Sequence, residues 1–122
     1  MSLAELYARY NERIHFLMIY IREAHPTDGW DVGSDYRTDD PRTIEERRNV
    51  ASDCEIALQH GIKTYVDEMD DAVMTAYAAW PERLYLVDTT GHIAYASGRG
   101  PWGFQPGELQ TAIETLTKEQ LL

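Results

Sequence analysis

Thiols are nearly absent from this chain: one cysteine, Cys54, stands in 122 residues. A single thiol excludes an intrachain disulfide framework, a thiolate metal cluster and an internal Cys-x-x-Cys redox pair. Basic residues are also scarce, 11 Lys and Arg against 21 Asp and Glu, for a formal charge of −10. Such a surface repels phosphate backbones and anionic lipid, so neither nucleic acid nor membrane is expected as a partner. No apolar run approaches the roughly 20 residues that span a bilayer. The N-terminal M-S-L-A-E-L-Y lacks the basic region and apolar core of a signal peptide, and a cytoplasmic protein is expected. There is no internal repeat and no low-complexity segment, and the length suits one domain with a single core.

Among the features present, Ile14 to Ile21 dominates. The string I-H-F-L-M-I-Y-I is almost unbroken in apolar, β-branched and aromatic residues. It predicts a strand buried on both faces at the centre of a mostly parallel sheet. Ligands of open α/β sheets gather at the carboxyl ends of such strands. The segment there, R-E-A-H-P-T-D-G-W, sets Glu23 and His25 two residues apart.

Around this strand the pattern predicts a helix from Ser2 to Glu12, capped by Ser2, and an exposed loop from Asp31 to Pro41. A second helix starts at Thr43 with a capping box to Glu46 and stops near Gly61. Ile44, Val50, Ala51, Cys54, Ala57 and Leu58 form its apolar face. A short strand over Ile62 to Val66 precedes a helix over Asp70 to Trp80 that Pro81 terminates. Arg83 to Val87 and His92 to Ala96 read as a hairpin. A glycine-rich loop follows, with Trp102 and Phe104 expected to cover the core. Pro106 to Leu122 closes the chain as a helix with Leu109, Ile113, Leu116 and Leu121 inward. The order α-β-α-β-α-β-β-α is an α/β layer arrangement. It is also the order of a thioredoxin-like mixed sheet flanked by helices and missing its first strand.

Four strings carry a family resemblance: F-L-M-I-Y-I-R-E-A-H-P-T-D-G-W at Phe16 to Trp30, R-T-I-E-E-R at Arg42 to Arg47, A-Y-A-A-W-P-E-R-L-Y at Ala76 to Tyr85, and G-R-G-P-W-G-F at Gly98 to Phe104. In order and spacing they resemble the iodothyronine deiodinases and their bacterial deiodinase-like relatives, over about Leu6 to Leu116. The resemblance implies a thioredoxin-like oxidoreductase performing reductive dehalogenation, or thiol or peroxide reduction, without a bound cofactor and with a thiol reductant as co-substrate. It implies a homodimer whose ligand is a small aromatic or anionic molecule. The family's nucleophile, selenocysteine or cysteine, lies before the first helix, and no counterpart stands in residues 1–122. Cys54 is in the wrong place for it. The whole chain therefore reads as one N-terminally truncated domain, expected to be inactive as it stands.

By the same resemblance His25 and Glu23 are the catalytic candidates, His25 contacting the phenolic end of the substrate or relaying a proton. Arg83 would pair with a substrate carboxylate, and Trp30 is the other expected substrate-binding residue. Trp80-Pro81 departs from the vertebrate pattern and is closer to bacterial relatives. The alternative is a non-catalytic module for small-ligand binding or dimerisation. Loss of a strand between Ile14 to Ile21 and Arg83 to Val87 predicts that those two strands pair directly or that a dimer fills the gap. No metal site is expected, since no histidine pair has ligand spacing.

Overall fold

Eight elements are laid down in the expected order in the computed structural model, which describes residues 2–23 and 40–120. They are α1 (Leu3–Tyr10), β1 (Met18–Tyr20), α2 (Ile44–Leu58), β2 (Thr64–Val66), α3 (Ala72–Ala76), β3 (Tyr85–Val87), β4 (Ile93–Ala96) and α4 (Pro106–Gln120). The protein is thus mixed α/β, but its described strands form two separate two-stranded sheets. β1 pairs with β2 in parallel, and β3 pairs with β4 antiparallel. Direct pairing of β1 with β3 does not occur among the described residues.

The main core lies between α1, β3 and α4. Leu6, Tyr10, Leu86, Leu109 and Ile113 form it, with Ile14, Phe16, Leu84, Tyr95 and Leu116 packed at its margin. The inward spacing expected of α4 is therefore correct for Leu109, Ile113 and Leu116; Leu121 lies outside the described residues. Ser2 caps α1 as expected, its Oγ accepting the Glu5 amide at 3.2 Å. Thr43 Oγ1 likewise accepts the Glu46 amide at 3.1 Å. The return bond of the capping box is displaced by one residue, since the Glu46 carboxylate accepts from the Arg42 amide at 2.8 Å. α2 then ends at a left-handed Gln59 with φ 48°, two residues ahead of Gly61.

Three expectations are corrected. β1 is three residues long and is not buried on both faces: Leu17 is 65% and Ile19 40% exposed. Apolar composition marks a strand's preference for cover, whereas the cover itself depends on which layers exist, and among the described residues one face of this sheet is left partly exposed. The helix expected over Asp70 to Trp80 spans only Ala72–Ala76. Pro81 does not end it. Ala78 turns left-handed at φ 49°, and the Ala79 amide reaches back to the Met74 carbonyl at 3.0 Å, a Schellman-type closure several residues earlier. Finally, Trp102 does not cover the core; it is 88% exposed on its loop, while Phe104 is half-buried.

Candidate functional site

Of the four residues singled out in the sequence, His25 and Trp30 lie outside the described residues, and Glu23 and Arg83 lie within them. Glu23 stands three residues past β1, half-buried, and its carboxylate accepts a hydrogen bond from the Tyr20 hydroxyl. The Tyr20 carbonyl in turn accepts the Asp67 amide at 2.9 Å. Parallel pairing of β1 with β2 thus brings Glu23 and Asp67 out at the same carboxyl-end rim. The neighbouring Arg22 is turned to Asp40, at 3.3 Å.

Arg83 precedes β3 and is half-buried. Its Nε donates to the Ser97 carbonyl at 2.7 Å and its Nη1 to the Ala78 carbonyl at 3.3 Å. The guanidinium carbon lies 5.4 Å from the centre of the Tyr85 ring, within cation–π range. The surface ion pair with Glu82, Asp67 or Glu68 that would be the ordinary fate of such an arginine is not formed. Neutral carbonyls orient a guanidinium without cancelling its charge. Arg83 is therefore a fixed cation in an acidic protein.

An aromatic wall adjoins it. Tyr77 and Tyr85 meet edge to face with ring centres 5.1 Å apart, an arrangement favoured by the ring quadrupoles. The Tyr85 hydroxyl donates to the Tyr77 carbonyl, and Tyr77 is 42% exposed. Ser97, only 2% exposed, closes the arrangement from the β4 side. Its Oγ accepts the Leu84 amide at 2.9 Å and donates to the Gly98 carbonyl at 2.8 Å, while its carbonyl steers Arg83. A cation beside an aromatic edge suits a flat ring bearing an acidic group.

Residues of consequence that sequence reasoning passed over are Arg47 and Asp67, each 2% exposed. Arg47 occupies a core-facing position of α2 four residues before the buried Ala51, where a cation is out of place unless it is paired. That mismatch was the available signal. Cys54 is half-buried in mid-α2, a poor location for a nucleophile. Among the described residues, no group of His, Cys, Asp and Glu could hold a metal ion, and no helix is long and apolar enough to cross a membrane.

Comparison with known proteins accounts for these strings. The iodothyronine deiodinase family model matches residues 2–117. The thyroxine 5-deiodinase of Ovis aries is 40% identical over 113 residues, covering 89% of this chain and 37% of that protein. The thyroxine 5-deiodinase of Homo sapiens is 40% identical over 113 residues, with 89% and 36% covered. That of Gallus gallus is 37% identical over 122 residues, with 93% and 43% covered. The chain thus spans about two-fifths of the length of these vertebrate relatives. It belongs to the iodothyronine deiodinase family.

Proposed function

We propose that the chain is the substrate-holding part of a thioredoxin-like reductive dehalogenase, acting on a small aromatic anion. The observation that carries this reading is the guanidinium of Arg83, oriented by two carbonyls, without an ion pair among the described residues, and standing against the Tyr85 ring, which meets that of Tyr77. Reductive removal of iodide replaces a carbon–iodine bond by carbon–hydrogen, taking up two electrons and a proton. Glu23 and His25 take the proton side by family resemblance, Trp30 is assigned to substrate binding on the same ground, and a thiol reductant supplies the electrons through a selenocysteine or cysteine. Cys54 does not fill that role from the middle of α2, so residues 1–122 alone bind the ligand without turning it over. One cysteine and a charge of −10 suit a reducing cytoplasmic setting, and Trp80-Pro81 favours the bacterial branch.

The test is calorimetric titration of the chain with 3-iodobenzoate. Replacing Arg83 by Met is expected to weaken binding at least about tenfold, the worth of a hydrogen bond to a charged group. Equal affinity in the two proteins contradicts the reading.

A second reading, a dimerisation module, is favoured by the two small sheets. Each leaves β1 or β3 with one unpaired edge among the described residues, and such edges invite another strand. We infer a homodimer that pairs them. A monomeric mass by light scattering at micromolar concentration counts against it.

A further inference from the structure

α3 has only five residues and none of them is buried. A helix that short has no stability of its own, and its apolar Val73 and Met74 are only half-buried. Polar groups fasten it at its two ends.

At the start, the Asp67 carboxylate accepts the amides of Val73 at 3.0 Å and Met74 at 2.9 Å, as well as that of Glu68 at 2.8 Å. The residue in the capping position, Asp71, is left-handed at φ 58° and makes no capping bond. Its carboxylate meets Arg47 Nη2 at 3.0 Å. Arg47 Nη1 also donates to the carbonyls of Glu68 at 2.8 Å and Asp67 at 3.4 Å. One buried arginine on α2 therefore holds the 67–71 turn, and one buried aspartate holds the first amides of α3.

At the other end, the Tyr77 carbonyl accepts from the Tyr85 hydroxyl and the Ala78 carbonyl accepts from Arg83 Nη1. The same carbonyl that aims the guanidinium thus hangs from a helix whose other end hangs from Asp67. We propose that Arg47 and Asp67 are positioning residues for Arg83, acting through α3 as a strap between the β2 rim and the guanidinium. The strap joins the rim that carries Glu23 to the cation in front of β3, and either fastening, when loosened, loosens the other.

This rests on the anion-binding reading only where affinity is measured; the coupling itself is read without ligand. In the isotopically labelled full chain, Asp67→Asn is compared with Asp70→Asn, a control in the same turn where the exposed Asp70 accepts, among the described residues, only the Ala72 amide, at 3.2 Å. Asp67→Asn is expected to speed amide exchange across Val73 to Ala76 and to shift and broaden the Arg83 Nε–H resonance. It should also weaken 3-iodobenzoate binding by about five- to tenfold, the lower end of an ordinary coupling between sites. Asp70→Asn should leave the Arg83 resonance where it is. An Arg83 resonance unmoved by Asp67→Asn, or moved equally by the control, overturns the proposal.

Should Asp67→Asn fail to fold, the reverse experiment decides. Coupling is reciprocal, so Arg83→Lys must speed exchange at Val73 and Met74, and unchanged exchange there overturns the strap. Absence of 3-iodobenzoate binding in the unaltered chain, with the resonance still responding to Asp67→Asn, removes the anion reading and leaves the coupling standing.

Discussion

The two halves of the molecule are held by different forces. Between α1, β3 and α4 the contacts are apolar: Leu6 and Ile113 are fully buried, with Leu86 and Leu109 beside them. Around α2, β2 and α3 the most deeply buried groups include Arg47, Asp67 and His60 along with Ala51 and Ile62. His60 accepts the Ile62 amide at 3.0 Å through Nδ1. Apolar burial is non-directional and sums over area, so it sets how stable a fold is. Buried charge is directional and costly unless fully paired. It therefore specifies where particular backbone groups stand, which is what a site needs.

Substitutions sharpen that contrast. Arg47→Ala strands the Asp71 carboxylate and frees the 67–71 turn, at an expected cost of about 3–5 kcal/mol. Ile113→Ala opens a cavity in the apolar half and is expected to cost about 2–5 kcal/mol. The distinction lies in where each is felt. In hydrogen exchange, Arg47→Ala should release α3 and the 67–71 turn ahead of α1 and α4, whereas Ile113→Ala should lower protection in α1 and α4. Identical exchange patterns for the two variants would dissolve the contrast. Thr43→Ala removes one cap of α2 and should cost about 1 kcal/mol by denaturant titration.

The smallest effect concerns pH at the β3–β4 turn. The Thr90 hydroxyl and the His92 amide both donate to the Asp88 carboxylate and, outweighing the cost of its desolvation, hold its pKa below the ordinary value. A depressed carboxylate contributes stability that is present above its unfolded pKa and lost as pH falls through its folded one. The Thr90 and His92 amides, which both donate to the Asp88 carboxylate, should therefore lose that partner only below about pH 4. A transition between pH 5 and 7 would point to another group.

The order of elements was legible because helix caps and apolar periodicity are local: Ser2, Thr43 and the spacing of Leu109, Ile113 and Leu116 each speak for themselves. The arrangement of strands was not, for it depends on partners distant in the chain. The string from Ile14 to Ile21 records a demand for cover on both faces but not whether the cover is there. The end of α3 was misread because Pro81 is a conspicuous breaker, while the left-handed turn at Ala78 leaves no mark in the sequence. At the site, Arg83 was visible by family resemblance, and its grip on Ala78 and Ser97 was not, since carbonyl acceptors carry no side-chain signature. Arg47 was hidden in plain view on an otherwise apolar face.

The most direct measurement is the anomalous signal of iodine in crystals of the chain soaked with 3-iodobenzoate. An iodine peak is expected against the Tyr77 and Tyr85 rings, with the carboxylate on the outer amino group of Arg83. An iodine peak on any other surface, with Arg83 holding only its two carbonyls, would contradict it.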